Sequence, residues 1–144
     1  MYKNILAMTD FSEDADYALD IAVSLVNSFG AKLTILHVAH DESQLPVYLS
    51  SLQYDEVDEM IKKEVEKSFA RLVAKVPSLK GVEYKTLLRR GSPYVQGIIA
   101  IEEGEYDLVV IGSHGESGIK KFFYGSTSEK IIRRSPTSVF VTKR

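Results

Sequence analysis

The chain is predicted to fold as a doubly wound α/β domain, an open parallel sheet with helices on both faces. Three observations carry that prediction: five short runs rich in Ile, Val and Leu, apolar helical periodicity between them, and the alternation of the two along the chain. Right-handed crossovers put helices on both sides of such a sheet and bury its strands on both faces, so the strands read as nearly continuous apolar runs.

The first strand is expected at 4–8. Ser12 then stands as the N-cap of a helix whose apolar face is Ala15, Ala18, Leu19, Ala22, Leu25, Val26 and Phe29, and Gly30 stops it. A second strand follows at 33–39. Residues 40–53 show no clean period, and a segment of that length between elements is read as a flexible, lid-like loop. Val57, Met60, Ile61, Val65, Phe69, Leu72, Val73 and Val76 form the face of a long amphipathic helix that ends before Pro77, which cannot continue it. The third strand is expected at 82–88. Ser92 and Pro93 open a third helix, with proline in the first helical position where its missing N–H is harmless, and Gly104 closes it. A fourth strand at 107–111 leads, through a glycine-rich stretch, to a helix from Ser126 to Arg134. Arg133 and Arg134 suit the negative end of that helix, Pro136 closes it, and the last strand lies at 138–142.

Composition narrows the function. The 144 residues fit one domain, 1–144, and there is neither an internal repeat nor a low-complexity tract to divide it. No stretch approaches the roughly 18 uninterrupted apolar residues of a membrane span, and the apolar run after Lys3 is cut at Asp10 and Ser12, too early for a signal peptide. The absence of cysteine excludes disulfides, thiolate metal sites and a cysteine nucleophile, and suits a reducing, cytoplasmic setting. With 18 Lys and Arg against 20 Asp and Glu, the net charge of -2 steers the protein toward neither nucleic acid nor an acidic membrane. Any anion site must be local.

The segment that offers one is Gly112, Ser113, His114, Gly115, Glu116, Ser117, Gly118, then 119–124, then Gly125, Ser126, Thr127 and Ser128. Gly112 and Gly115 let backbone N–H groups approach an anion, and Gly125 with Ser126 opens a helix whose first N–H groups are unpaired. In an open parallel sheet, ligands bind beyond the carboxyl ends of the strands where the strand order reverses, and the fourth strand is the expected place of reversal. The stretch matches neither G-x-x-x-x-G-K-[ST] nor G-x-G-x-x-G.

It does resemble the nucleotide loop of the universal stress protein family: Gly, two residues, Gly, nine residues, Gly, then Ser or Thr, met by Gly112, Gly115, Gly125 and Ser126. The resemblance runs the length of the chain, through 5–10 with Phe11 and Ser12, through Ile35, Leu36, His37 and Val38, through 107–112, and from Ser135 and Pro136 to Val141. It implies a five-stranded sheet of order 3-2-1-4-5 with two helices on each face, a Rossmann-like adenine nucleotide hydrolase-type fold. It also implies an adenine nucleotide, ATP or AMP, with Mg2+, held at the ends of the first and fourth strands. Carried over, Asp10 faces the ribose, Val38 lines the adenine pocket with Ile111 nearby, and Gly112 and Gly115 hold ribose and phosphates. Gly125, Ser126 and Ser128 bind phosphate oxygens, and Thr9 and Thr127 complete the set. Met8 and Thr127 depart from the family pattern, where a smaller residue or proline and a valine are common, and each would narrow or alter the pocket. Family members also pair their last strands, which implies a homodimer through 137–143, from Thr137 to Lys143.

Plainer readings stand beside these. Asp10 could simply favour the positive end of the first helix. His37 reads as a hydrogen-bonded core or pocket-edge residue; His40 and His114 lack neighbours at metal-ligand spacing, though His114 could touch phosphate. Lys120 and Lys121 are either a solvated face or a counter-charge to phosphate. The charges of the second helix, Asp55, Glu56, Asp58, Glu59, Lys62, Lys63, Glu64, Glu66 and Lys67, read as a solvent-facing network. Ser12 has no partners that would make it a nucleophile. The role the resemblance implies is a stress-response regulatory or switching module. Its alternatives are a slow ATPase or an autophosphorylating transferase using Ser126, Thr127 or Ser128, for which no water-positioning residue stands out, and a ligand-free, partner-binding dimer.

Overall fold

The computed structural model describes residues 1–39, 54–114 and 126–144, without the side chains of Tyr54, Asp55 and Ser126. The expected loop at 40–53 and the glycine-rich stretch 115–125 lie outside the described residues. Five parallel strands, β1 (Asn4–Met8), β2 (Lys32–Ala39), β3 (Tyr84–Arg90), β4 (Leu108–Gly112) and β5 (Ser138–Thr142), form one sheet of order β3-β2-β1-β4-β5. Four helices, α1 (Glu13–Phe29), α2 (Tyr54–Lys75), α3 (Pro93–Glu103) and α4 (Ser126–Arg134), cover it.

Strand alternation divides the core into two layers. Ile5 and Ala7 of β1 point to one face, where Ala18, Leu19, Ala22, Val23 and Val26 of α1 and Leu72 of α2 meet Leu33, Ile35, Leu108 and Val110. Leu6 and Met8 point to the other, where Ala100 and Ile101 of α3 and Ile131 of α4 meet Leu36, Val38, Val109 and Ile111. Helices on both faces are what the alternation of elements predicts, and two on each face what the resemblance implies.

The helix ends follow their chemistry. Ser12 caps α1, its hydroxyl accepting from the Ala15 N–H at 3.2 Å, and Gly30 ends it in the left-handed conformation at φ 64°. Pro93 occupies the first turn of α3.

The third and fourth strands depart most from expectation. The third strand begins at Tyr84, opposite Leu33, instead of at 82, because residues Pro77–Gly81 wind into a short 3₁₀ helix that the Val82 N–H closes on the Leu79 carbonyl at 3.3 Å. The strand therefore extends to Arg89 and Arg90, beside Val38 and Ala39. Asp107 precedes β4 instead of opening it: its carboxylate accepts from the N–H groups of Lys3 at 2.8 Å and Asn4 at 3.2 Å, clamping the start of β1. On α2, Asp58 leaves the expected solvent network to pair with Arg90 of β3 at 3.2 Å as well as Lys62 at 3.0 Å. The Lys62 hydrogen bond holds the Asp58 carboxyl below its usual range, with Arg90 adding to the effect.

Candidate functional site

The strand order reverses at β1, which pairs with β2 on one side and β4 on the other. The crossovers from β1 and from β4 leave on opposite faces, and in open parallel sheets such a divergence at the carboxyl ends is where a ligand crevice forms. Thr9, Asp10, Val38, Ile111 and Gly112 are brought to this end of the sheet.

Beyond Met8 the chain continues one more step of pairing, the Thr9 N–H donating to the Leu36 carbonyl at 2.9 Å, and then turns sharply into α1. Side chains build the turn. Thr9 Oγ1 accepts from the Phe11 N–H and Asp10 Oδ1 accepts from the Ser12 N–H, each at 3.0 Å. Phe11 sits at φ 64°, a left-handed conformation uncommon for an aromatic residue, and packs at 4.4 Å on His37 and at 5.1 Å on Phe69. His37 Nδ1 lies 2.8 Å from the Thr9 carbonyl. A carbonyl only accepts, so Nδ1 carries the proton. Asp10 thus orders the entry to α1 through hydrogen bonding, a more specific role than charge beside a dipole, and His37 is hydrogen-bonded as its strand context predicts.

On the β4 side, Gly112 is the last strand residue, and a Cβ there would stand 3.0 Å from the Asp14 carbonyl oxygen and 3.2 Å from its carbon. Glycine suits this position because the first turn of α1 lies close to β4 and a side chain would crowd its backbone. Ser113 is buried: its N–H donates to the Thr142 carbonyl at 3.1 Å, its hydroxyl meets His114 Nδ1 at 2.9 Å, and its carbonyl accepts from Ser128 Oγ at 3.3 Å. Ser128 therefore fastens α4 to the end of β4. Thr127 is partly exposed beside it. Gly115, Gly125 and the Ser126 side chain lie outside the described residues.

Sequence reading passed over a charged group at this end. Asp14 Oδ1 accepts from Arg144 Nε at 2.5 Å, Arg144 Nη2 reaches Glu13 at 2.9 Å, and Asp14 Oδ2 faces His114 Nδ1 at 4.0 Å. Both carboxylates hold the Arg144 guanidinium more firmly protonated than usual. The only trace in the sequence is the acidic first turn of α1. Asp16 is different, since burial raises its carboxyl above the ordinary range against the pull of Lys75, and Asp10 and Glu13 add repulsion.

The universal stress protein family matches residues 1–143. The chain belongs to the universal stress protein family. It is 31% identical over 149 residues to universal stress protein YxiE of Bacillus subtilis, covering 99% of this chain and 100% of that one. Among solved structures, the hypothetical protein MJ0577 superposes with a TM-score of 0.82 at 27% identity, covering 100% of this chain and 97% of the other. Two more distant universal stress proteins share the fold. One, in complex with cAMP, has a TM-score of 0.66 at 22% identity and covers 99% of this chain and 97% of its own. The other, from Archaeoglobus fulgidus in complex with dAMP, has a TM-score of 0.69 at 18% identity and covers 99% and 98%.

Proposed function

We propose that this universal stress protein binds an adenine nucleotide, ATP or AMP, in the crevice between the ends of β1 and β4, and that occupancy makes it a stress-response switch. The observation that carries the reading is the reversal of strand order at β1, because Gly112, which starts the family's glycine spacing, stands at that same point. The crevice also has a floor suited to a base. Met8, Val38 and Ile111 form the outer edge of the apolar layer under α3 and α4, and the faces of adenine are apolar enough to rest on them. The fold likenesses solved with cAMP and dAMP are in keeping with an adenine ligand. Thr9, Asp10, Gly112, Gly115, Gly125, Ser126, Thr127 and Ser128 would surround ribose and phosphates, where main-chain N–H groups suit anionic oxygens. Mg2+ would come with a triphosphate, bound mostly by phosphate oxygens and water.

The same proposal includes a homodimer through β5, an edge strand whose Phe140 is 43% exposed, and a cytoplasmic location. No described helix is long and apolar enough to cross a membrane.

Calorimetric titration with ATP, AMP and cyclic AMP tests the reading, joined to mass spectrometry of any ligand released from the denatured protein. Binding of at least one nucleotide is expected, and Gly115→Val with Ser126→Ala should abolish it with the fold intact. Absence of heat with all three would end the proposal.

A further inference from the structure

Met8 occupies a position whose seat is made by another residue. A Cβ at Gly97, inside α3, would stand 2.7 Å from Met8 Cε, 3.4 Å from its sulfur and 3.0 Å from Ile131 Cδ1 of α4. The missing side chain at Gly97 is therefore the notch that receives the end of the thioether.

We propose that the Met8–Gly97 pair sets the depth of the base end of the crevice, Gly97 keeping the Met8 methyl beneath α3 so that a purine can be admitted above it. This rests on the nucleotide reading above and adds the residues that shape its base pocket. The layer shows which way Met8 would move. Leu6, Leu36, Val109 and Ile131 around it are all at 0% exposure, whereas Met8, Val38 and Ile111 retain 8%, 6% and 7%. The layer is sealed inward and opens at the carboxyl ends of the strands. Ile131, fully enclosed, need give only a few tenths of an ångström at 3.0 Å, while the Met8 methyl at 2.7 Å must move further, and methionine has an unbranched chain that adapts. A methyl group placed at 97 would turn Met8 outward between Val38 and Ile111, into the space assigned to the base. A large residue at the end of β1 is thus compatible with an open crevice here because a glycine on the facing helix receives it.

Gly97→Ala tests this, since alanine suits a helix interior better than glycine and the flexible end of Met8 can give way without unfolding the chain. ATP and AMP should both bind about tenfold more weakly or worse, the scale of a crowded apolar contact. Inorganic tripolyphosphate, which has no base, should bind as before, and Met8→Ala combined with Gly97→Ala should restore nucleotide affinity. With three methionines in the chain, the 13C-labelled Met8 methyl resonance can be identified by its loss in Met8→Ala, and it should shift in Gly97→Ala. Unchanged ATP affinity in Gly97→Ala, equal weakening of tripolyphosphate, or no rescue in the double variant would each overturn the pair. If the wild-type protein binds no nucleotide, the nucleotide reading falls separately. The methyl resonance then decides the seat: a shift in Gly97→Ala supports it and an unmoved signal overturns it.

Discussion

Asp14 and Arg144 lie 130 positions apart in sequence and meet at 2.5 Å, Arg144 Nε donating to Asp14 Oδ1. Asp14 is also the residue whose carbonyl a Cβ at Gly112 would crowd and whose second carboxylate oxygen faces His114. One side chain thereby joins the start of α1, the exit from β5 and the point where the chain leaves β4.

Removing the guanidinium in Arg144→Ala should lower the melting temperature, because Glu13 and Asp14 lose their shared cation at a helix end. The Arg144 side chain is partly exposed, so salt should screen the attraction. Thermal unfolding at low salt and near 1 M, where the screening length shrinks to about 3 Å, should show the difference from wild type narrowing. A constant difference would assign the effect to packing of the arginine stem.

Gly112→Ala should destabilise by about 1–3 kcal/mol, the usual cost of overpacking a filled site. The obstacle is the backbone of Asp14, which cannot swing aside as a side-chain tip can. Urea denaturation measures the loss. Wild-type stability in the variant would mean that α1 can slide off β4, and the glycine would then need another explanation.

The elements that were legible in the sequence are those whose signal is local. The face of α1 from Ala15 to Val26, its Ser12 and Gly30 caps, the Pro93 start of α3 and the Pro77 stop of α2 each rest on chemistry within a few residues. The third strand was misplaced because Val82 has strand character by composition, yet its N–H is engaged by the 3₁₀ turn behind it. At the site, glycine spacing marked Gly112, but spacing could not tell a glycine that clears a ligand from one that clears a helix. The joining of Asp14 to Arg144, of Ser128 to Ser113 and of Met8 to Gly97 depends on which strands become neighbours. No periodicity within a single segment carries that information.

Asp16 makes stability depend on pH in a defined direction. Burial raises its carboxyl above 3.8, so the folded state holds this proton more tightly than the unfolded chain. Its contribution is most favourable below that value and declines as pH rises from 3.8 through the raised folded value. Oδ1 is also buried without a hydrogen-bond partner among the described residues. Asp16→Asn should therefore melt higher than wild type at pH 7 and lose that advantage near pH 3. An advantage equal at both pH values would point to a cause other than ionisation.

His37→Ala should cost about 2 kcal/mol in urea unfolding, the order expected when a partly buried carbonyl loses its donor. The Thr9 carbonyl loses the Nδ1 hydrogen bond and Phe11, held at positive φ, loses the ring against which it packs. Asparagine at 37 should recover part of the loss by donating through its amide. Equal losses for alanine and asparagine would reduce the role of His37 to ring packing.

The dimer proposal can be tested at single backbone groups of β5. The Thr142 carbonyl accepts from Ser113, so Thr142 directs its main-chain groups toward β4, and alternation along the strand does the same for Phe140 and Ser138. Val139 and Val141 then direct their N–H and carbonyl groups to the outer edge, where a second copy would pair. Val139→Pro removes one outward N–H and leaves the β4 ladder intact, a substitution that edge strands tolerate. Light scattering should report a wild-type dimer at micromolar concentration and a folded monomer for Val139→Pro. Phe140→Ala, which trims an exposed side chain and keeps every main-chain donor, should weaken association far less. A wild-type monomer would remove the dimer, and a Val139→Pro dimer would move the interface away from this edge.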